Sequence, residues 1–114
     1  MDIGSIILFV KNMRTVAAFY RDTVGLKPDE EQPFPAHRFF RFNTGQCKLC
    51  LHSASKPNGG RQKVGFHVES VKAVHDALKA KGLRLRPLKK SEDGLACFDI
   101  SDPESNKIQF WGNY

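Results

Sequence analysis

The sequence predicts an α+β fold made of two tandem βαβββ modules. Three observations carry that reading. An apolar run at residues 6–10 (Ile-Ile-Leu-Phe-Val) is followed by Asn12 and a helical pattern that stops at Gly25-Leu26. Residues 64–68 (Val-Gly-Phe-His-Val) lead in the same way through Ser70 to a helical pattern that stops at Gly82-Leu83. Each helix is then followed by short strand-like runs bounded by turn residues. The layout occurs twice in 114 residues, so each half has about 50 residues, too few to bury a sheet alone, and the halves are expected to pair.

The elements follow in order. Residues 6–10 form the first strand. Asn12 is a good helix N-cap, because its side-chain oxygen can accept an orphan backbone N–H. Met13, Val16, Ala17, Tyr20 and Val24 recur at helical period and give one apolar face. Gly25 suits the left-handed position after a helix. Residues 38–42 and 48–52 read as strands, with a turn at residues 44–46. Residues 55–62, with Pro57, Asn58, Gly59 and Gly60, read as the linker between modules 1–54 and 63–114. In the second module Ser70 caps a helix whose apolar face is Val71, Val74 and Leu78, with His75 at its border, and Gly82 ends it. Residues 83–85, 95–100 and 107–111 read as strands, with a turn at residues 102–106 (Asp-Pro-Glu-Ser-Asn).

Composition narrows the function classes. Hydrophobic residues make up 40% and charged residues 26%, the balance of a globular domain. No apolar run reaches the length of a membrane span, and residues 6–10 are too short for a secretory signal. Three cysteines cannot all pair in one chain, which favours a reducing, cytoplasmic setting over a disulfide scaffold. The formal charge of +6 raises the question of nucleic acid. The basic residues are scattered, with the densest cluster at Lys79, Lys81, Arg84, Arg86, Lys89 and Lys90, and no nucleic-acid-binding motif accompanies them. Neither nucleic acid nor a membrane is expected as a partner, which leaves a small-molecule ligand to be sought in the strand faces.

Strand parity locates the candidate site. Alternate strand residues face opposite sides of a sheet. Val64, Phe66 and Val68 oppose Lys63, Gly65 and His67; Ile108 and Phe110 oppose Lys107, Gln109 and Trp111; Leu49 and Leu51 oppose Lys48, Cys50 and His52. The purely apolar sets are expected to pack on the helices. The mixed sets, joined by Ser5, Ile7 and Phe9, suit a concave pocket with apolar walls and a few polar groups.

These stretches resemble the glyoxalase / bleomycin-resistance / extradiol-dioxygenase superfamily, also called vicinal oxygen chelate proteins. The resemblance spans nearly the whole chain. It rests on residues 10–13 (Val-Lys-Asn-Met) with 19–26 (Phe-Tyr-Arg-Asp-Thr-Val-Gly-Leu), on 45–51, on 66–68 leading to Lys81-Gly82, and on 99–110 around Asp102-Pro103. It implies paired modules forming a cup-shaped mixed sheet with helices on its outer face, in a homodimer. It also implies that metal-dependent members hold a divalent ion through His and Glu on the cup-facing strands. Those positions fall here on Ser5, Lys63 and Gln109, and a further glutamate position falls near Cys50. The usual ligand set is absent, and a lysine at a ligand position repels a cation. The resemblance therefore points to the metal-free branch, with no cofactor.

The expected ligand-binding residues are Phe9, Arg41, Cys50, His52, Lys63, His67, Gln109 and Trp111. Trp111, the only tryptophan, is a platform for a planar ligand or a hydrophobic filler at a dimer seam. Arg38 and Arg41 are bidentate donors for a carboxylate or phosphate, or exposed-face charges. Cys50 and His52 share a face as pocket-lining residues or as a thiol–imidazole pair. His67 and His52 are the candidate general bases, or satisfied hydrogen-bonding residues. Lys63 and the arginines favour an anionic or carboxylated ligand. The competing reading is an enzyme, a glyoxalase-I-like lyase with a non-standard or absent metal site.

Overall fold

The computed structural model describes residues 1–114 as two compact units, Met1–Gly59 and Gly60–Tyr114. In the first unit β1 (Ser5–Val10) leads into α1 (Met13–Ala18), and β2 (Phe39–Arg41) and β3 (Lys48–Ser53) follow. In the second, β4 (Lys63–Val68) leads into α2 (Val71–Ala80), and β5 (Leu95–Ser101) and β6 (Lys107–Asn113) follow. Each unit holds one three-stranded mixed sheet, in the orders β1-β3-β2 and β4-β6-β5. The central strand pairs in parallel on one side and antiparallel on the other.

Both helix starts are built as the residue types require. The Thr15 N–H donates to Asn12 Oδ1 at 3.2 Å, and the Ala73 N–H to Ser70 Oγ at 3.1 Å. Gly25 and Gly82 both take the left-handed conformation, at φ 90° and 96°. The first helix is not uniform, because its second half, Phe19–Val24, is a wider π-helical segment. It closes with the Leu26 N–H donating to Tyr20 O at 2.9 Å around Gly25.

One expected strand is missing. Residues 83–85 join no ladder, so the second unit is βαββ with β5 at the sheet edge. The alternation that suggests a strand is real: Leu83, Leu85 and Leu88 are half-buried, and Arg84 and Arg86 are exposed. The backbone is used differently, however. His75 Nε2 donates to the Arg86 carbonyl at 2.8 Å, and Pro87 has no N–H to give. His75 is accordingly a buried residue rather than a helix-border one, packed edge-on against Phe98 at 5.0 Å. In the first unit a single bridge, Pro28 with Phe42, stands where a further strand would lie.

Each core lies between a sheet and its helix. In the first unit Leu8, Val10, Leu49, Leu51 and Phe42 meet Val16, Ala17 and Tyr20. In the second, Ile100, Ile108 and Phe110 share the core with Val71 and Leu78, and α2 lies against β5 and β6.

The turn before β6 is held by a buried carboxylate. Asp102 Oδ1 accepts from the N–H groups of Glu104 and Asn106, both at 2.9 Å, and Oδ2 accepts from Asn106 Nδ2 at 2.8 Å. This net holds Ser105 in the left-handed region at φ 68°. Asp102→Ala is expected to cost about 2 kcal/mol by stranding buried donors, with Asp102→Asn losing less because it keeps one acceptor. Urea unfolding of the two variants checks the order.

Candidate functional site

Strand register brings the expected residues onto one face of each sheet. In the first unit Ile7, Cys50 and Arg41 form one row across the sheet, and Phe9, His52 and Phe39 form the next. His52 lies between two rings, 5.5 Å from Phe9 and 6.2 Å from Phe39, and its Nδ1–H donates to Ser53 O at 2.8 Å. That bond leaves Nε2 as the free nitrogen of the ring.

Two of these residues have other employment. Arg41 Nε is 2.9 Å from Asp29 Oδ2, and its terminal nitrogen donates to the Glu31 carbonyl at 2.9 Å. The guanidinium thus anchors the segment before β2. Burial pushes the Asp29 carboxyl up, but the Arg41 hydrogen bond and charge outweigh it and leave Asp29 below the usual carboxylate value. Cys50 is only 2% exposed, and its Sγ lies 3.9 Å from the Lys48 carbonyl, so no thiol–imidazole pair with His52 forms.

Burial also raises the Cys50 thiol above its ordinary value. A raised thiol keeps its proton in the fold, so its stabilising effect is complete below the unfolded value. That effect is lost as pH rises from there through the folded one. Cys97, by contrast, is exposed. Brief treatment with iodoacetamide at neutral pH is expected to alkylate Cys97 and spare Cys50 until urea unfolds the chain. Peptide mass spectrometry reads the order, and Cys50 reacting first would contradict the burial.

The second unit carries the better-formed site. His67, Trp111 and Cys97 form one row across its sheet, and Gly65, Gln109 and Asp99 form the next. The Trp111 indole leans over Gly65, with Nε1 only 3.3 Å from where a Cβ there would sit, and His67 packs on it at 4.6 Å. A pocket of about 420 Å³ opens beside the indole. Lys89, Ser91, Leu95, Ala96, Cys97, Gln109, Trp111 and Gly112 line it. Of these only Gln109 and Trp111 are among the ligand-binding residues expected from sequence.

Lys63 does not stand free on this face, because its Nζ is 2.7 Å from Asp99 Oδ2. Asp99 lies on the edge strand, 36 residues from Lys63 in the chain, and only its odd position beside Cys97 in β5 could have flagged it.

The whole-chain pattern decides the family. The model of the Glyoxalase/Bleomycin resistance protein/Dioxygenase superfamily matches residues 2–110. The chain belongs to this superfamily.

Solved structures of this superfamily agree in fold. A protein assigned to the glyoxalase family from Bacillus anthracis aligns with a TM-score of 0.81 at 19% identity, covering 100% of this chain and 96% of that one. The lactoylglutathione lyase from Agrobacterium tumefaciens aligns at 0.74 with 20% identity, covering 96% and 92%. A glyoxalase/bleomycin resistance protein/dioxygenase family enzyme from Burkholderia phytofirmans PsJN aligns at 0.75 with 18% identity over 100% of both chains. At such identities the likeness concerns the fold. No curated protein matches the sequence significantly.

A metal site of the superfamily's His/Glu kind does not fit these residues. In the first unit the position expected for a ligand holds Ser5, and the further one falls near the buried thiol of Cys50. In the second the expected positions hold the Gln109 amide and the ion-paired Lys63 ammonium. No three His, Cys, Asp or Glu side chains are gathered where they could hold an ion. No helix is long and apolar enough to cross a membrane.

Proposed function

We propose that the chain is a metal-independent small-molecule-binding protein that takes an anionic or carboxylated ligand with a planar apolar body. The observation that carries this reading is the pocket beside Trp111. Its walls are mostly apolar, Trp111 is 47% exposed, and Gln109, Ser91 and Lys89 supply a few polar groups at its border. Within this unit Lys63 is neutralised by Asp99, so the unpaired positive charge comes from Lys89 at the pocket and from Lys107 farther along β6. In the same reading the protein works as a homodimer in the cytoplasm, a setting that suits three free cysteines.

The single tryptophan makes the test direct. Naphthalene-1-carboxylate is expected to quench Trp111 emission saturably, and 1-naphthylmethylammonium to bind at least roughly tenfold more weakly. The carboxylate should also shield Cys97 from iodoacetamide, and its affinity should survive dialysis against EDTA. Equal binding of the two probes, or none, defeats the proposal. Stoichiometric Ni, Zn, Mn or Fe in the purified protein would favour the lyase reading instead.

A further inference from the structure

A second groove opens on the same unit, at the edge of β5. It measures about 340 Å³, and Arg84, Asp99, Ser101 and Lys107 supply its polar lining. It lies alongside residues 83–85, the stretch that fails to pair with β5. The charges within it are unequal. The carboxylate of Asp99 is held by Lys63 at 2.7 Å, whereas Arg84 and Lys107 have no acidic partner. A guanidinium fork, an ammonium and a hydroxyl around one cavity form a donor set for an oxyanion with several acceptor oxygens.

The groove is also in line with the Trp111 pocket. Gln109 of that pocket and Asp99 of the groove are direct partners in the β5–β6 register. Trp111 and Lys107 lie on one face of β6, four residues apart, which is about 13 Å along a strand. We infer that the edge groove is an oxyanion subsite and that the ligand is elongated. Its apolar body lies on Trp111 and a phosphate-class group lies between Arg84 and Lys107, at about 13 Å. This inference rests on the reading of the Trp111 pocket as a small-molecule site. It adds the ligand's second recognition element and its length.

The Lys63–Asp99 ion pair sets the strength of the subsite. Asp99→Asn removes the one carboxylate and frees the Lys63 ammonium, so oxyanion binding should tighten several-fold. Lys63→Met leaves Asp99 uncompensated, so binding should weaken. Lys79→Gln, an equal charge change on the exposed side of α2, should leave it unchanged.

Two measurements test the inference. Inorganic phosphate at millimolar concentration should shift the backbone amide resonances of Arg84, Ser101 and Lys107, and Arg84→Gln and Lys107→Gln should abolish the shifts. Then ω-phenylalkyl phosphates are compared with the matching alcohols by Trp111 quenching. The phosphate-to-alcohol affinity ratio should peak at roughly tenfold or more when the chain spans about 13 Å, at roughly eight to ten methylenes, and fall to near one in Arg84→Gln. A ratio that does not vary with chain length, with Trp111 still quenched by both series, overturns the subsite and leaves the pocket reading standing. Quenching by neither series overturns both.

Discussion

Gly112→Ala is expected to destabilise the protein by about 3 kcal/mol or more, through a backbone collision that no side-chain rotation relieves. Gly112 sits at φ 149°, where side chains are rarely found, in the central strand of the second sheet. A Cβ built there lies 2.2 Å from the Val68 carbonyl oxygen and 3.3 Å from its carbon. Val68 is the register partner of Gly112, so relief requires the β4–β6 pairing itself to open. The effect should reach the helix as well. The Tyr114 carbonyl, two residues on, accepts the Lys72 N–H at 2.8 Å and the Ser70 hydroxyl at 3.2 Å, tying the end of β6 to the start of α2. Urea unfolding followed by far-UV circular dichroism gives the number. A variant within about 1 kcal/mol of the parent would show that the strand relaxes at little cost. Because Trp111 is the neighbouring residue, ligand quenching should weaken in any Gly112→Ala protein that still folds.

Phe42→Ala is expected to cost about 3–5 kcal/mol, the range for emptying a fully buried aromatic site. Phe42 has no exposed surface. Its ring lies 6.0 Å from the Tyr20 ring and 5.0 Å from that of Phe40, and Tyr20 is itself fully buried in the π-helical segment. The backbone is engaged too, since the Phe42 N–H donates to Leu49 O at 2.9 Å. Phe34→Ala supplies the contrast. Phe34 is 51% exposed, so its loss should stay within about 0.5 kcal/mol. Comparable losses for the two would mean that the first unit's core lies elsewhere.

The four phenylalanines at 34, 39, 40 and 42 show where sequence reading stops. All are equally apolar, and parity separates Phe39 from Phe40 and Phe42 once a strand is assumed. Parity does not say which side is the core, and the answer comes from Tyr20, about twenty residues upstream. The same limit applies to charge. Lys63 on a mixed face reads as a free cation until Asp99 is found 2.7 Å away, and Arg41 reads as a ligand clamp until Asp29 takes it. Residues 83–85 have the alternation of a strand, yet the side chain of His75 takes the Arg86 carbonyl nearby.

Helix caps, turn glycines and which residues of a strand share a face were legible because they depend on a residue and its neighbours within about four positions. Asn12 and Ser70 cap, Gly25 and Gly82 close, and Gln109 and Trp111 share a face for reasons contained in their own segments. Folding itself chose the partners of the buried and charged groups. Lys63 with Asp99, His75 with the Arg86 carbonyl and Phe42 with Tyr20 are meetings between distant segments. Such meetings depend on how strands register and helices dock, and residue type alone does not encode them.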